Sequence, residues 1–411
     1  MRRERDLTFT ILSAIGIILI LLGHLDFPVA TFGGLFPYYS YHVLVFVFIA
    51  GYFYKPEDED HIGSYILRKA KRFLLPYYLW NIVYGLISML LRQEGFSYAG
   101  ELNLYNILVA PLVGGHQFGL NAAAWFVPVL FMLEVCDILA RRVIRIIYAK
   151  TAGSEKEMYG TYIEWVMMVL YLLVGIVTVW LSKRGSVYDL YRIPARLMFM
   201  APTLQFGRLY RSRLYKYDIT PSIIYFPLIG LMNLILTATH GGLAYSTVWV
   251  NGFSGTVITP FITTLTGIAL WLRISKILSR FFAGNKAKDQ TREQEFHIVT
   301  DDEKIEKESV TLKAIKSVGE HTFDIMMHHL SAFMLVKAVF YLIFAYTGLC
   351  SDFDINLLKT DLYYTYIPDG VEGFKWLYLA AGLLIPLLIA GTSDMAGKIH
   401  VKKEESTEQT L

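Results

Sequence analysis

The chain has 411 residues, 55% of them hydrophobic, 15% aromatic and only 18% charged, with a mean hydropathy of +0.43. That balance excludes an ordinary soluble enzyme of this length and points to an all-α polytopic membrane protein. The net charge of +3 gives no reason to expect a nucleic-acid partner, and the two cysteines, Cys136 and Cys350, imply neither a disulfide framework nor a cysteine metal cluster.

Arg2, Arg3 and Arg5 lead into the uncharged run ILSAIGIILILLGH over residues 11–24, which reads as an uncleaved first span entering from the cytoplasmic side. His24 closes it, roughly 24 Å along the helix from Thr8, where an imidazole can meet water from the far side and still be shielded. An interfacial histidine with no chemistry is an equal reading of this stretch alone. Further spans are predicted at 36–54, 73–91, 122–145, 162–182, 193–210, 219–239, 254–275, 323–347 and 374–392, about ten in all, with both termini cytoplasmic. The sixth is diluted by Pro194, Arg196, Pro202 and Gln205. Charge asymmetry supports keeping it. With ten spans, only Arg92, Lys183, Arg184, Arg192, Lys359 and Lys375, of 38 Lys and Arg, fall on the outer side.

Residues 104–115 are too short an apolar run to cross and are expected to be re-entrant or interfacial. The predicted organisation is a membrane bundle over 1–284 with the candidate site, a charged cytoplasmic linker over 285–316, two more spans within 317–397 and a polar cytoplasmic tail over 398–411.

His42 in the second span sits at about the depth of His24, so the two imidazoles can share a site; the alternative is one more member of a belt with Tyr38, Tyr39 and Tyr41. Arg68, Lys69, Lys71 and Arg72 form a basic mouth after that span. Positive-inside topology explains them by itself, yet Arg68 and Arg72, four apart, are spaced to grip a phosphate. Glu134 and Asp137 lie buried in the fourth span; Asp137 can pair with Arg141 or Arg142, which leaves Glu134 as the better functional candidate. Arg196 can bind an anionic group or cap Glu164 or Asp189. His328 and His329 are adjacent and cannot face one partner, and Lys337 in mid-span must snorkel, pair or lose its proton. No metal-binding, Walker, nucleophile-elbow or dinucleotide motif occurs.

Together these segments resemble the membrane-bound acyltransferase 3 family, in particular its fucose 4-O-acetylase-like branch. LGH matches the end of the family's first span. YHVLVFVFIAGYFY is similar to FHMPLFFFLSGYLF, RKAKRFLLPYYLWN to KRxxRLLIPYxxW, WFVPVLFMLE to WFLxxLFxxE, and GEHTFDIMMHH to GxxTxxIYxxH. The family usually carries Arg or Lys eleven positions before the first histidine, where this chain has Ser13.

The resemblance implies transfer of an acyl group, commonly acetyl, from cytoplasmic acyl-coenzyme A to a hydroxyl of a sugar, lipid-linked glycan or cell-wall polymer in a bacterial plasma membrane. His24 would be the general base, with His42 or Glu134 orienting it. Arg68, Lys69, Lys71 and Arg72 would hold the coenzyme A phosphates, and Trp125, Arg196 and His328 would be substrate-binding. Acyl-coenzyme A would be a cosubstrate, with no permanently bound cofactor or metal. A transporter or flippase of a glycan or lipid intermediate is the alternative, followed by a scaffold without chemistry. The sequence has no matching halves, which disfavours alternating access.

Overall fold

The computed structural model describes residues 6–115, 118–151, 156–185, 191–296 and 309–408. Among them there is no β-strand. The main helices are α1 (Leu7–His24), α2 (Tyr38–Tyr52), α3 (Ile62–Gln93), α4 (Phe126–Thr151), α5 (Lys156–Lys183), α6 (Arg192–Leu209), α7 (Ser222–His240), α8 (Thr259–Phe296), α9 (Val310–Glu320), α10 (Thr322–Thr347) and α11 (Lys375–Glu408). All ten predicted spans are helical. Eight helices among the described residues are long and apolar enough to cross a membrane, and the protein is a polytopic helical membrane protein.

The two predicted spans outside those eight are α2, with 15 residues, and α6, whose arginines and prolines lower its hydropathy. Both lie inside the bundle against each other. A Cβ on Gly51 of α2 would stand 1.9 Å from the Leu204 carbonyl oxygen, and one on Gly207 of α6 2.1 Å from that of Phe48. A helix enclosed by protein has no lipid to match. Its length and polarity are set by its neighbours instead.

α1 is apolar on all sides and accordingly central, with Ile11, Leu12, Ile17 and Leu21 fully buried. Its start is fixed by Asp6, whose side chain accepts from the Thr8 amide at 2.9 Å. It packs on α2, α8, α9 and α10. α5 and α7 take the perimeter and expose Val166, Val169, Leu173, Ile224, Leu228 and Leu231, an apolar surface of the kind lipid tails cover.

The segment from 285 to 316 is helical at both ends. α8 continues to Phe296, and α9 begins at Val310, where Ser309 caps the Leu312 amide. α9 lies on the start of α1, with Gly319 directly against the Thr10 carbonyl. α11 likewise continues past 397 to Glu408. Within 104–115 a π-turn, Tyr105–Val109, and a short helix, Ala110–Val113, leave Leu104, Tyr105 and Leu108 exposed, while Asn81 and Tyr78 hold the Ile107 and Leu108 carbonyls at 2.9 and 3.1 Å.

Candidate active site

α1 ends at Gly23 and His24 against the start of α2. With no side chain on Gly23, the Tyr39 ring comes within 3.1 Å of where a Cβ would be, and His42 Nε2 within 3.8 Å. His42 is buried and stacks on Tyr39 with ring centroids 5.5 Å apart. His24 itself is half-buried. Its ring lies flat on Tyr363, 5.4 Å between centroids with 4° between planes, and 5.2 Å from the ring of His329.

His329 has no exposed surface, and its Nδ1 meets the Ile325 carbonyl oxygen at 2.9 Å. A carbonyl only accepts, so in the neutral imidazole the proton is on Nδ1 and the lone pair on Nε2. That Nε2 is buried and has no hydrogen-bond partner among the described residues. His329 thus brings a fixed acceptor into the neighbourhood of His24. Tyr363 belongs to the loop between α10 and α11 and is held from beneath, since Lys337 donates to the Leu362 carbonyl at 3.0 Å and the Tyr363 amide to Asp361 Oδ1 at 2.8 Å. Burial, assisted by Tyr39 and Asp361, pushes the Tyr363 hydroxyl up to about 12, so it remains a neutral phenol at ordinary pH.

His328 faces away from this cluster. Its Nδ1 is 2.7 Å from the Tyr84 hydroxyl on α3, and its ring sits edge-on to Trp80 at 4.2 Å. Arg196 is fully buried, 4.1 Å over the Trp125 ring, with Nε donating to the Val248 carbonyl at 2.8 Å. The expectation that Arg196 could cap Glu164 is corrected. Glu164 is bound instead by Arg141 at 3.0 and 3.1 Å and by Gln205 at 2.7 Å. Asp189 lies outside the described residues.

At the opposite end of the bundle, Lys69 Nζ meets Glu134 Oε1 at 2.5 Å, and the other oxygen of Glu134 is buried and unpartnered among the described residues. Glu134 is nine residues beyond Trp125, about 13 Å down the helix. The structure therefore groups Glu134 with Lys69 rather than with His24 and His42. Arg68 pairs with Asp58 at 2.6 Å. Lys71 and Arg72, on the π-turn Ala70–Leu74, are exposed, with no ion pair to an acidic group among the described residues. Asp137 does pair with Arg141, at 3.4 Å, and also with Arg208 and Tyr171. These contacts tie α4, α5 and α6 into one buried, charge-balanced network with Glu164 and Gln205.

Sequence reasoning left His328 and His329 open as the family-like histidine and gave no signal for Tyr363, one tyrosine among several in YYTY. Among the described residues, no three His, Cys, Asp or Glu side chains gather as metal ligands. Compared with protein-family models, curated proteins and solved structures, the chain matches none.

Proposed function

We propose that this chain is an integral-membrane O-acyltransferase that moves an acyl group, acetyl in the first instance, from cytoplasmic acyl-coenzyme A to a hydroxyl of a sugar, lipid-linked glycan or cell-wall polymer. The observation that carries the reading is a half-buried His24, stacked on Tyr363 and backed by the fixed acceptor of His329. In the step itself, His24 takes the proton of the acceptor hydroxyl as its oxygen attacks the thioester carbonyl. The C–O bond forms, the C–S bond breaks, and the thiolate leaves and collects that proton from His24. A developing imidazolium beside a neutral, lone-pair-bearing imidazole is better stabilised than one beside a second cation.

In this reading the bundle crosses the membrane ten times, α2 and α6 included, with both termini cytoplasmic. The basic mouth faces the donor and the His24 end faces the acceptor. The concentration of Lys and Arg on one side supports this orientation. In a chain with Cys136 and Cys350 changed to serine, Glu101→Cys should react with an impermeant maleimide in intact cells, and Ser309→Cys only after lysis. The reverse pattern would mean an inverted bundle.

With Arg68 and Lys69 engaged by Asp58 and Glu134, the cations open to coenzyme A phosphates are Lys71 and Arg72. Charge-assisted hydrogen bonds contribute about 1.5 to 3 kcal/mol each. The double change Lys71→Gln with Arg72→Gln should therefore weaken donor binding at least about tenfold and raise the donor KM while kcat holds, because the contacts are remote from the reacting carbon. Calorimetric titration of detergent-purified protein with coenzyme A measures this. A wild-type protein with no affinity for coenzyme A would overturn the acyltransferase reading and leave the transporter.

A further inference from the structure

Lys337 is 2% exposed in the second half of α10 and takes no part in the proton transfer. Its ammonium makes one hydrogen bond among the described residues, to the Leu362 carbonyl at 3.0 Å. A charge with three N–H donors is thus buried for a single neutral acceptor. For stability alone the exchange is a poor one, because a leucine or methionine would fill the same space without the desolvation cost. The lysine answers another need, and the bond it makes says which.

The Leu362 carbonyl belongs to the peptide that joins Leu362 to Tyr363. The N–H of that same peptide donates to Asp361 Oδ1 at 2.8 Å. Both edges of one peptide plane are therefore held, and a planar unit held at both edges fixes the direction in which the next side chain leaves the backbone. That side chain is Tyr363, whose ring lies 4° from the plane of His24. The rest of the loop is anchored farther off, where the Ser97 amide and the Tyr98 hydroxyl, just after α3, donate to the Lys359 and Leu358 carbonyls at 2.8 and 3.2 Å. Among the described residues, Lys337 alone bonds to the backbone between Asp361 and Tyr363 from outside the loop. An imidazole turns about a broad terminal torsion, so a free ring sweeps its lone pair through a wide arc. A parallel ring laid against it narrows that arc and keeps the lone pair within reach of one hydroxyl proton.

We propose that Lys337 is a positioning residue of the transfer site: through the Leu362 carbonyl it sets the Tyr363 ring flat against His24 and so holds the base in one orientation toward the acceptor hydroxyl. The proposal rests on the acyltransferase reading and adds to it a residue that touches neither substrate. It also gives the two ring contacts of His24 a common support, since His329 and Lys337 lie on one helix, about 12 Å apart along α10.

The test is a double-mutant cycle on transfer from labelled acetyl-coenzyme A in membranes, with coenzyme A affinity of each purified full-length variant measured by calorimetry. Lys337→Met should lower kcat about ten- to a hundredfold, as a misplaced catalytic group does, and leave coenzyme A affinity unchanged. Tyr363→Ala should do the same, and Tyr363→Phe, which keeps the stacking ring, should recover most of the rate that Tyr363→Ala loses. The double variant Lys337→Met with Tyr363→Ala should be no slower than the slower single variant, because both remove one device. Independent, multiplying losses would mean that Lys337 is a structural residue only and would overturn the proposal. So would turnover near the wild-type rate in either single variant. If Lys337→Met does not fold, Lys337→Gln takes its place in the cycle with the same outcomes, its amide nitrogen being one bond nearer the backbone and short of the carbonyl. Wild-type protein that neither binds coenzyme A nor transfers acetyl removes the acyltransferase reading instead, and this role for Lys337 with it.

Discussion

His24→Gln should insert and bind coenzyme A as the wild type does, and lose acyl transfer by about 10² to 10⁴. Glutamine keeps a polar, planar end at the close of α1 and can lie against Tyr363, but it cannot accept a proton at useful pH. The measurement is transfer from labelled acyl-coenzyme A in membranes, alongside coenzyme A affinity of the purified variant. Turnover near the wild-type rate would sink the assignment of the base. His329→Phe should cost less, since it removes a supporting acceptor and leaves the proton acceptor in place. The pH dependence has a definite sign. In the proposed reading the base must start unprotonated, so the rate should fall as pH is lowered. Tyr363, raised to about 12, should add no alkaline limb below about pH 11.

What could be seen in the sequence was whatever depends on residues close together along the chain. The ten helical segments follow from runs of apolar residues, and the pairing of Asp137 with Arg141 from one helical turn. The divergence of His328 and His329 follows from their adjacency, with Tyr84 and Trp80 on one side and His24 on the other. Arrangements between distant segments left no such trace. Arg208 reaches Asp137 from another helix, as Glu164 and Gln205 reach Arg141. Lys69 meets Glu134 across 65 residues, which separates that carboxylate from the histidines it was expected to join. Tyr363 stacks on His24 from a loop whose position depends on Lys337, a mid-span lysine that resolves its burial by donating to a loop carbonyl. The sequence could say that Lys337 needs a partner, but not that the partner is the backbone beside His24's stacking ring.

Gly207→Ala and Gly51→Ala should each destabilise the protein by about 3 kcal/mol or more, at the upper end of what overpacking costs and a large part of any folded protein's margin. The reason is the atom each new methyl would strike. At Gly51 it is the Leu204 carbonyl oxygen, at 1.9 Å, and at Gly207 the Phe48 carbonyl oxygen, at 2.1 Å. A flexible side chain can swing aside; a helix backbone moves only if the whole crossing opens. Small residues at membrane helix contacts permit this closeness, and here they seat α2, hence His42, against the rest of the bundle. Gly230 supplies the control, because a Cβ there meets nothing within 4 Å. On α7, Gly230→Ala should be neutral or stabilising by up to about 1 kcal/mol, the helix-propensity difference between the two residues. Thermal unfolding of the three variants in one detergent decides the matter. If Gly207→Ala melts with Gly230→Ala, α2 and α6 are not in backbone contact.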